Sequence, residues 1–196
     1  MGRYRIEVPN LSYREDGHVD IFCSADSADW SALTWGRWGS GGKYTARHLF
    51  VDDWRIEHTW RKQGEGIAKA LLCEVVTAPD FTIDGHFPLP LASYQVWRSR
   101  VIGRLWQDYG ATVVPVLQWG KSQTWSLCAS GIKQDSVVAV RGPQQGTEKE
   151  WQAALDFMLN RIKPALVLHF GRHVDYPAGV ACHYYPLRRG IGNELR

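Results

Sequence analysis

The sequence predicts an α/β protein built on a mostly parallel sheet, and three observations carry that prediction. Five short apolar runs, at 48–54, 75–81, 112–119, 136–142 and 165–172, lack the polar alternation of half-exposed strands. Such runs suit strands buried on both faces, as in a parallel sheet covered by helices. Stretches with helical periodicity separate them, and the run starts lie roughly 25–40 residues apart, the span of a βα unit. Each run also closes on a polar or glycine-bearing signature, and in parallel sheets ligands collect at those carboxyl ends. About five βα units are too few for a complete eightfold barrel. They leave an open sheet or a small, irregular TIM-like barrel to which N-terminal strands contribute.

In chain order, residues 1–47 read as an N-terminal aromatic extension. Residues 3–8 alternate and suit an edge strand ended by Pro9, and 19–23 suit a second. The stretch 35–43 combines two tryptophans with four glycines, which is loop chemistry, and lacks the spacing of a P-loop. Residues 54–72 carry helical stretches broken at Gly64 and Gly66. The clearest helix covers about 90–109, where Tyr94, Trp97, Val101, Leu105 and Tyr109 recur at three- and four-residue steps before Gly110. Arg98, Arg100 and Arg104 lie mostly off that stripe, so a solvated face is expected for them. A short helix is expected around 122–132. The last helix covers about 148–162: Thr147 and Glu150 form a capping box, Trp151, Ala154, Leu155, Met158 and Ile162 form the buried stripe, and Pro164 forces the exit. Residues 173–196 are a basic tail. With no linker or repeat between them, extension, core (48–172) and tail read as one domain over 1–196.

Composition narrows the class. With 44% hydrophobic and 22% charged residues in 196, the chain has enough apolar material for a real core and is not of disordered type. A net charge of +3 is too mild to indicate nucleic-acid binding by itself. No apolar stretch approaches the ~20 residues that span a bilayer, and the start lacks a secretion signal, so a cytoplasmic protein with no membrane partner is expected. The four cysteines, Cys23, Cys73, Cys128 and Cys182, show no C-x-x-C pair and are expected as free thiols. Ten tryptophans are expected mainly in the core and between helices and sheet. Trp54 and Trp119, just past strand ends, suit stacking on a ligand.

The rim formed by the run ends carries the candidate chemistry. Asp52, Asp53 and Asp80 converge there if their strands are neighbours, and crowded carboxylates protonate, pair with a cation or bind metal. They suit general acid/base catalysis, a carboxylate nucleophile or a Mg²⁺ site, while one Asp of the pair at 52–53 alternatively caps the following helix. Asp80, Asp84 and His86 offer a loop metal site. His169 and His173 flank a strand end and read as structural. Arg141 and Arg172 supply guanidinium groups for an anion, Trp54 and Trp119 aromatic faces, and Gln118 an amide for a base edge. No serine-nucleophile elbow and no dinucleotide-binding glycine motif is present.

Taken in order, 49–55, 79–82, Trp97-Arg98-Ser99-Arg100 with Gly103 and Trp106-Gln107, 114–116 with Trp119, and Phe170-Gly171 resemble a known family. It is a domain of unknown function found in bacteria, phages, plasmids and integrative elements, and the resemblance covers about 48–172. Its pattern has Ser or Thr after Pro-Asp-Phe, as Thr82 is here, and usually Tyr before the final glycine, where this chain has Phe170. The resemblance implies a phage or mobile-element setting and no particular activity. The aspartate rim is also similar to that of barrel enzymes that exchange guanine bases in tRNA or DNA.

Two functions are expected from these residues. One is an enzyme, of hydrolase or glycosyl/base-transfer type, acting on a nucleotide, nucleobase or nucleic acid through the carboxylate cluster. The other is a non-catalytic protein that sequesters a nucleotide or blocks a host protein as a counter-defence factor. Oligomeric state is not legible in the sequence.

Overall fold

The computed structural model describes residues 9–187, so the strand expected at 3–8 and the end of the basic tail lie outside the described residues. Among the described residues eight strands form, β1 (Trp35–Arg37), β2 (Ala46–His48), β3 (Val75–Thr77), β4 (Val113–Val114), β5 (Val116–Leu117), β6 (Val137–Arg141), β7 (Leu166–Phe170) and β8 (Cys182–Tyr185). They make two four-stranded sheets in the orders β1-β2-β3-β4 and β5-β6-β7-β8, and every pairing is parallel. The α/β class with an open parallel sheet is therefore what the chain adopts.

One extended stretch joins the two sheets. Pro115 sits between β4 and β5 and has no N–H to give to a ladder. Before it, Val76 and Thr77 lie opposite Val113 and Val114; after it, Val116 and Leu117 lie opposite Ala139 and Val140. The Pro115 carbonyl still accepts from the Ala139 N–H at 2.9 Å. Strands thus follow each other in chain order across both sheets, but the ladders do not close into a barrel among the described residues. At the open side, Trp35 of β1 packs edge-on against Phe170 of β7 with centroids 4.9 Å apart and lies 5.6 Å from the ring of Tyr185 in β8.

The helices are α1 (Asp53–Arg61) and α2 (Gln63–Ala70) between β2 and β3, α3 (Leu89–Asp108) between β3 and β4, α4 (Trp125–Ala129) after β5, and α5 (Glu148–Ile162) between β6 and β7. Val75, Val76, Val137, Val138, Val167 and Leu168 are fully buried. That is the expected result for apolar runs with a covered sheet face on each side, each such side chain contributing about 1.5–3 kcal/mol.

Several local expectations are corrected. Trp35–Arg37 pairs with Ala46–His48 as a strand rather than a loop. Gly36 is required there because a Cβ would stand 2.3 Å from Tyr44 Cδ2, so the ring occupies the space a side chain would take. The break between α1 and α2 falls at Lys62 and not at Gly64 or Gly66. The 19–23 segment makes one parallel bridge, Ile21 to Ile132. Thr147 stands at the N-terminus of α5, but its hydroxyl donates to the Gln144 carbonyl at 3.0 Å and forms no capping box. Within the tail, residues 182–185 form β8, paired to β7.

The arginines of α3 overturn the solvated-face expectation. Arg98 is 6% exposed and Arg100 fully buried. The N-terminal segment covers the side of α3 that periodicity assigns to solvent: Arg104 Nη1 donates to the Asp20 carbonyl at 3.4 Å and Gln107 Nε2 to that of Phe22 at 2.6 Å. Cys23, Cys73, Cys128 and Cys182 are free thiols, as expected. No helix among the described residues is long and apolar enough to cross a membrane.

Candidate functional site

Because all strands run parallel, their carboxyl ends share one edge, and a cavity of about 270 Å³ opens there. Its wall comes from three strand exits: Asp80, Phe81, Thr82 and Ile83 after β3; Leu117, Gln118 and Trp119 at the end of β5; and Arg141, the last residue of β6, with Gly142, Gln144 and Thr147 after it and Trp151 of α5. Of the residues expected from sequence, Asp80, Gln118, Trp119 and Arg141 meet at this cavity.

The loop carrying Asp80 is held from several sides. Ser99 Oγ donates to the Pro79 carbonyl at 2.6 Å and Gln95 Nε2 to the Thr82 carbonyl at 3.2 Å. These two α3 residues lie four apart, one above the other on the same helix face. The Arg98 guanidinium lies 3.7 Å over the Phe81 ring and donates to Glu57 Oε2 of α1 at 2.8 Å. From the other side, Asp53 Oδ1 accepts from the Thr82 N–H at 3.0 Å and from its hydroxyl at 2.8 Å. Asp53 is thus a positioning residue in the first turn of α1, with its carboxylate beside the site rather than in the cavity wall.

Asp80 is the unusual group. Burial pushes its carboxyl up to about 7; the Asp53 charge adds to this, while Arg141 and Arg100 oppose it. Its carboxyl makes no hydrogen bond among the described residues, so it is free to meet a ligand. Arg141 is exposed at the rim and makes no ion pair among the described residues. Its own carbonyl accepts from Trp151 Nε1 at 3.1 Å, which fixes the backbone at the strand exit. Trp119 and Trp151 form an aromatic wall with centroids 5.5 Å apart.

The remaining sequence-derived candidates lie outside the cavity. The Asp52 side chain is 73% exposed, 3.7 Å from Arg55 Nε, and makes no capping bond to α1. Trp54 is 70% exposed, with the Arg55 guanidinium 4.3 Å over its ring. Arg172 is engaged by Glu148 at 2.5 Å. Asp84 and His86 pair with each other at 2.9 Å on an exposed turn. No three His, Cys, Asp or Glu side chains are grouped to hold a metal ion among the described residues, so Asp80, Asp84 and His86 do not assemble one.

Sequence reasoning missed the pocket roles of Thr82, Gln144, Thr147 and Trp151, and the buried His48. Neighbouring guanidinium groups and above all burial push His48 down to about 4, so it is neutral. A second buried histidine, His169, held below its usual basicity chiefly by burial, ties the rim together. The Arg172 carbonyl can only accept, so His169 Nε2 carries the proton and donates to it at 2.7 Å, leaving Nδ1 to accept from the Tyr176 hydroxyl at 2.8 Å. Gly142 sits against this pair: a Cβ there would stand 2.5 Å from the Arg172 carbonyl oxygen and 2.7 Å from His169 Nε2. Neither atom can retreat without breaking the bond between them. Gly142→Ala is therefore expected to destabilise the fold by about 1–3 kcal/mol, read as a lower urea midpoint.

A protein family described as a domain of unknown function (DUF4417) matches residues 20–181. The chain is similar to the "Gene 1 protein" of Mycobacterium phage D29, 31% identical over 137 residues, covering 68% of this chain and 50% of that protein. It is also similar to the "Gene 1 protein" of Mycobacterium phage L5, 29% identical over 136 residues, covering 66% of this chain and 59% of that protein. The matches thus span little more than half the length of these relatives. No solved structure matches the chain.

Proposed function

Because the chain belongs to the family described as a domain of unknown function (DUF4417), we propose its role from its own pocket: an enzyme acting on a nucleotide, nucleobase or nucleic-acid substrate. The observation that carries this reading is Asp80, a carboxyl that titrates near neutrality on a cavity wall beside an unpaired guanidinium. A group with that proton affinity can both give and take a proton at physiological pH, the requirement for general acid/base work in hydrolysis or base transfer. Arg141 supplies the charge for a phosphate at the rim, and Trp119 with Trp151 a face for a planar ring. The mycobacteriophage relatives support a phage or mobile-element setting.

One observation favours the second reading, a non-catalytic nucleotide-sequestering protein: Asp80 is the one carboxylate in the cavity wall among the described residues. Substrate turnover by wild type, Asp80→Asn and Arg141→Gln separates the two. For an enzyme, Asp80→Asn loses about 100-fold or more in rate while still binding ligand, and Arg141→Gln chiefly weakens binding. For a sequestering protein, Asp80→Asn keeps the full biological effect and Arg141→Gln loses it. If both variants keep it, the pocket is not the functional site.

A further inference from the structure

We infer that Gln118 is a specificity-determining residue whose side-chain amide receives the edge of a planar heterocycle that presents a hydrogen-bond donor beside an acceptor. The inference rests on the reading of the pocket as a nucleotide or nucleobase site and adds the atoms that recognise the ring. Gln118 is 6% exposed and lines the cavity, yet neither its Oε1 nor its Nε2 has a hydrogen-bond partner. The comparison within the same molecule is Gln95, equally buried at 7% exposed, whose Nε2 donates to the Thr82 carbonyl and whose Oε1 accepts from Arg98 Nη2 at 2.5 Å. The fold satisfies a buried glutamine where the residue is structural, and leaves this one, beside the cavity, without partners.

An unpaired buried amide disfavours the folded state, and an apolar side chain of similar size would relieve that penalty. Its chemistry specifies the missing partner. In one plane the amide offers an acceptor and a donor side by side, which match the cis-amide or amidine edge that nucleobases carry. The surroundings agree: the Trp119 and Trp151 rings wall the same cavity, Arg141 stands unpaired at the rim, and about 270 Å³ suits one nucleotide unit. That unit is either a free nucleotide or a base turned out of a nucleic-acid strand; the recognition chemistry is shared.

The test is calorimetric titration of wild type and Gln118→Met with AMP, CMP, GMP, UMP, ribose 5-phosphate and a single-stranded trinucleotide. Wild type is expected to bind at least one nucleotide about tenfold or more tightly than ribose 5-phosphate. Gln118→Met is expected to bind ribose 5-phosphate as wild type does and to lose the preference for a base. Trinucleotide binding at least as tight as the mononucleotide's identifies a base within a strand as the source; mononucleotide binding alone identifies the free form; in either case loss of the base preference in Gln118→Met supports the role of Gln118. A preference that survives in Gln118→Met, or a wild type that binds nucleotides no better than ribose 5-phosphate, overturns it while leaving the pocket's anion site intact. Should none of the six compounds bind wild type, the nucleotide reading itself fails. If Gln118→Met does not fold, Gln118→Glu replaces the donor with an acceptor and is expected to shift preference toward GMP, whose edge presents adjacent donors; an unchanged order overturns the inference.

Discussion

Asp80→Asn is expected to make the folded protein more stable at pH 8, by about 2 kcal/mol, with the gain fading as the pH falls toward about 4. The carboxyl's ordinary value of 3.8 is pushed up to about 7, chiefly by burial. Between those values the folded chain holds a proton that the unfolded chain has already released. Stability conferred by the protonated group is therefore complete below about 4, is lost as the pH rises toward about 7, and stays lost above it. The whole difference in proton affinity corresponds to on the order of 4 kcal/mol, and the cavity's opening to solvent reduces it to about half. Asn keeps the shape of the neutral acid and carries no charge at any pH. Thermal melts at pH 4 to 8 should show the variant about 5 °C above wild type at the alkaline end and level with it at the acid end. Superimposable melts across that range would mean that Asp80 titrates as an ordinary surface carboxyl, and the acid/base reading would lose its support.

A stabilising substitution at a candidate catalytic position is what a functional site predicts, because a group held in an unfavourable state is kept for something other than folding. Asp80 and Gln118 share this property on the same cavity wall, one a carboxyl with its proton affinity raised and the other an amide without partners. Thr77 and Ser136, also buried, instead receive backbone N–H groups from Leu49 and Cys23.

The sequence was informative where a single element determines the outcome. Four of the five unalternated apolar runs supplied buried parallel strands, while the run at 48–54 gives only His48 to β2 and enters α1 at Asp53, and a helix expected over about 148–162 became Glu148–Ile162. The carboxyl edge was legible as the place where Asp80, Gln118, Trp119 and Arg141 gather. What was not legible depended on which segment covers which face. Periodicity assigns Arg98 and Arg100 to solvent, but it carries no information about α1 and the N-terminal segment packing across that side of α3. Likewise, adjacency in sequence could not separate Asp52 from Asp53. One helical step turns the first toward Arg55 and solvent and the second toward Thr82. Polar residues four apart on α3, Gln95 and Ser99, were the available signal for the helix that holds the Asp80 loop.

Arg100→Ala is expected to be the most damaging single substitution, costing on the order of 4 kcal/mol. The guanidinium is fully buried and donates to three carbonyls, those of Val116 at 3.2 Å, Cys128 at 2.8 Å and Ser130 at 3.3 Å. It thereby joins α3 to β5 and to the end of α4, and its bonds to the Val116 and Cys128 carbonyls are buried. Alanine leaves all three without that donor and opens a cavity in the core next to Val116, the residue before Leu117 and Gln118 in the chain. Arg100→Lys keeps the charge but lacks the planar fork that reaches three acceptors, and should recover only part of the loss. Urea denaturation of the two variants measures both steps, and a loss below about 1 kcal/mol for Arg100→Ala would refute the structural role. The same charge also reaches the site, because Arg100 is one of the two cations holding Asp80 down against burial. In any Arg100 variant that still folds and lacks the cation, Asp80 should keep its proton to a higher pH. The alkaline loss of stability should then move upward with it, linking the buried arginine of α3 to the proton affinity of the pocket.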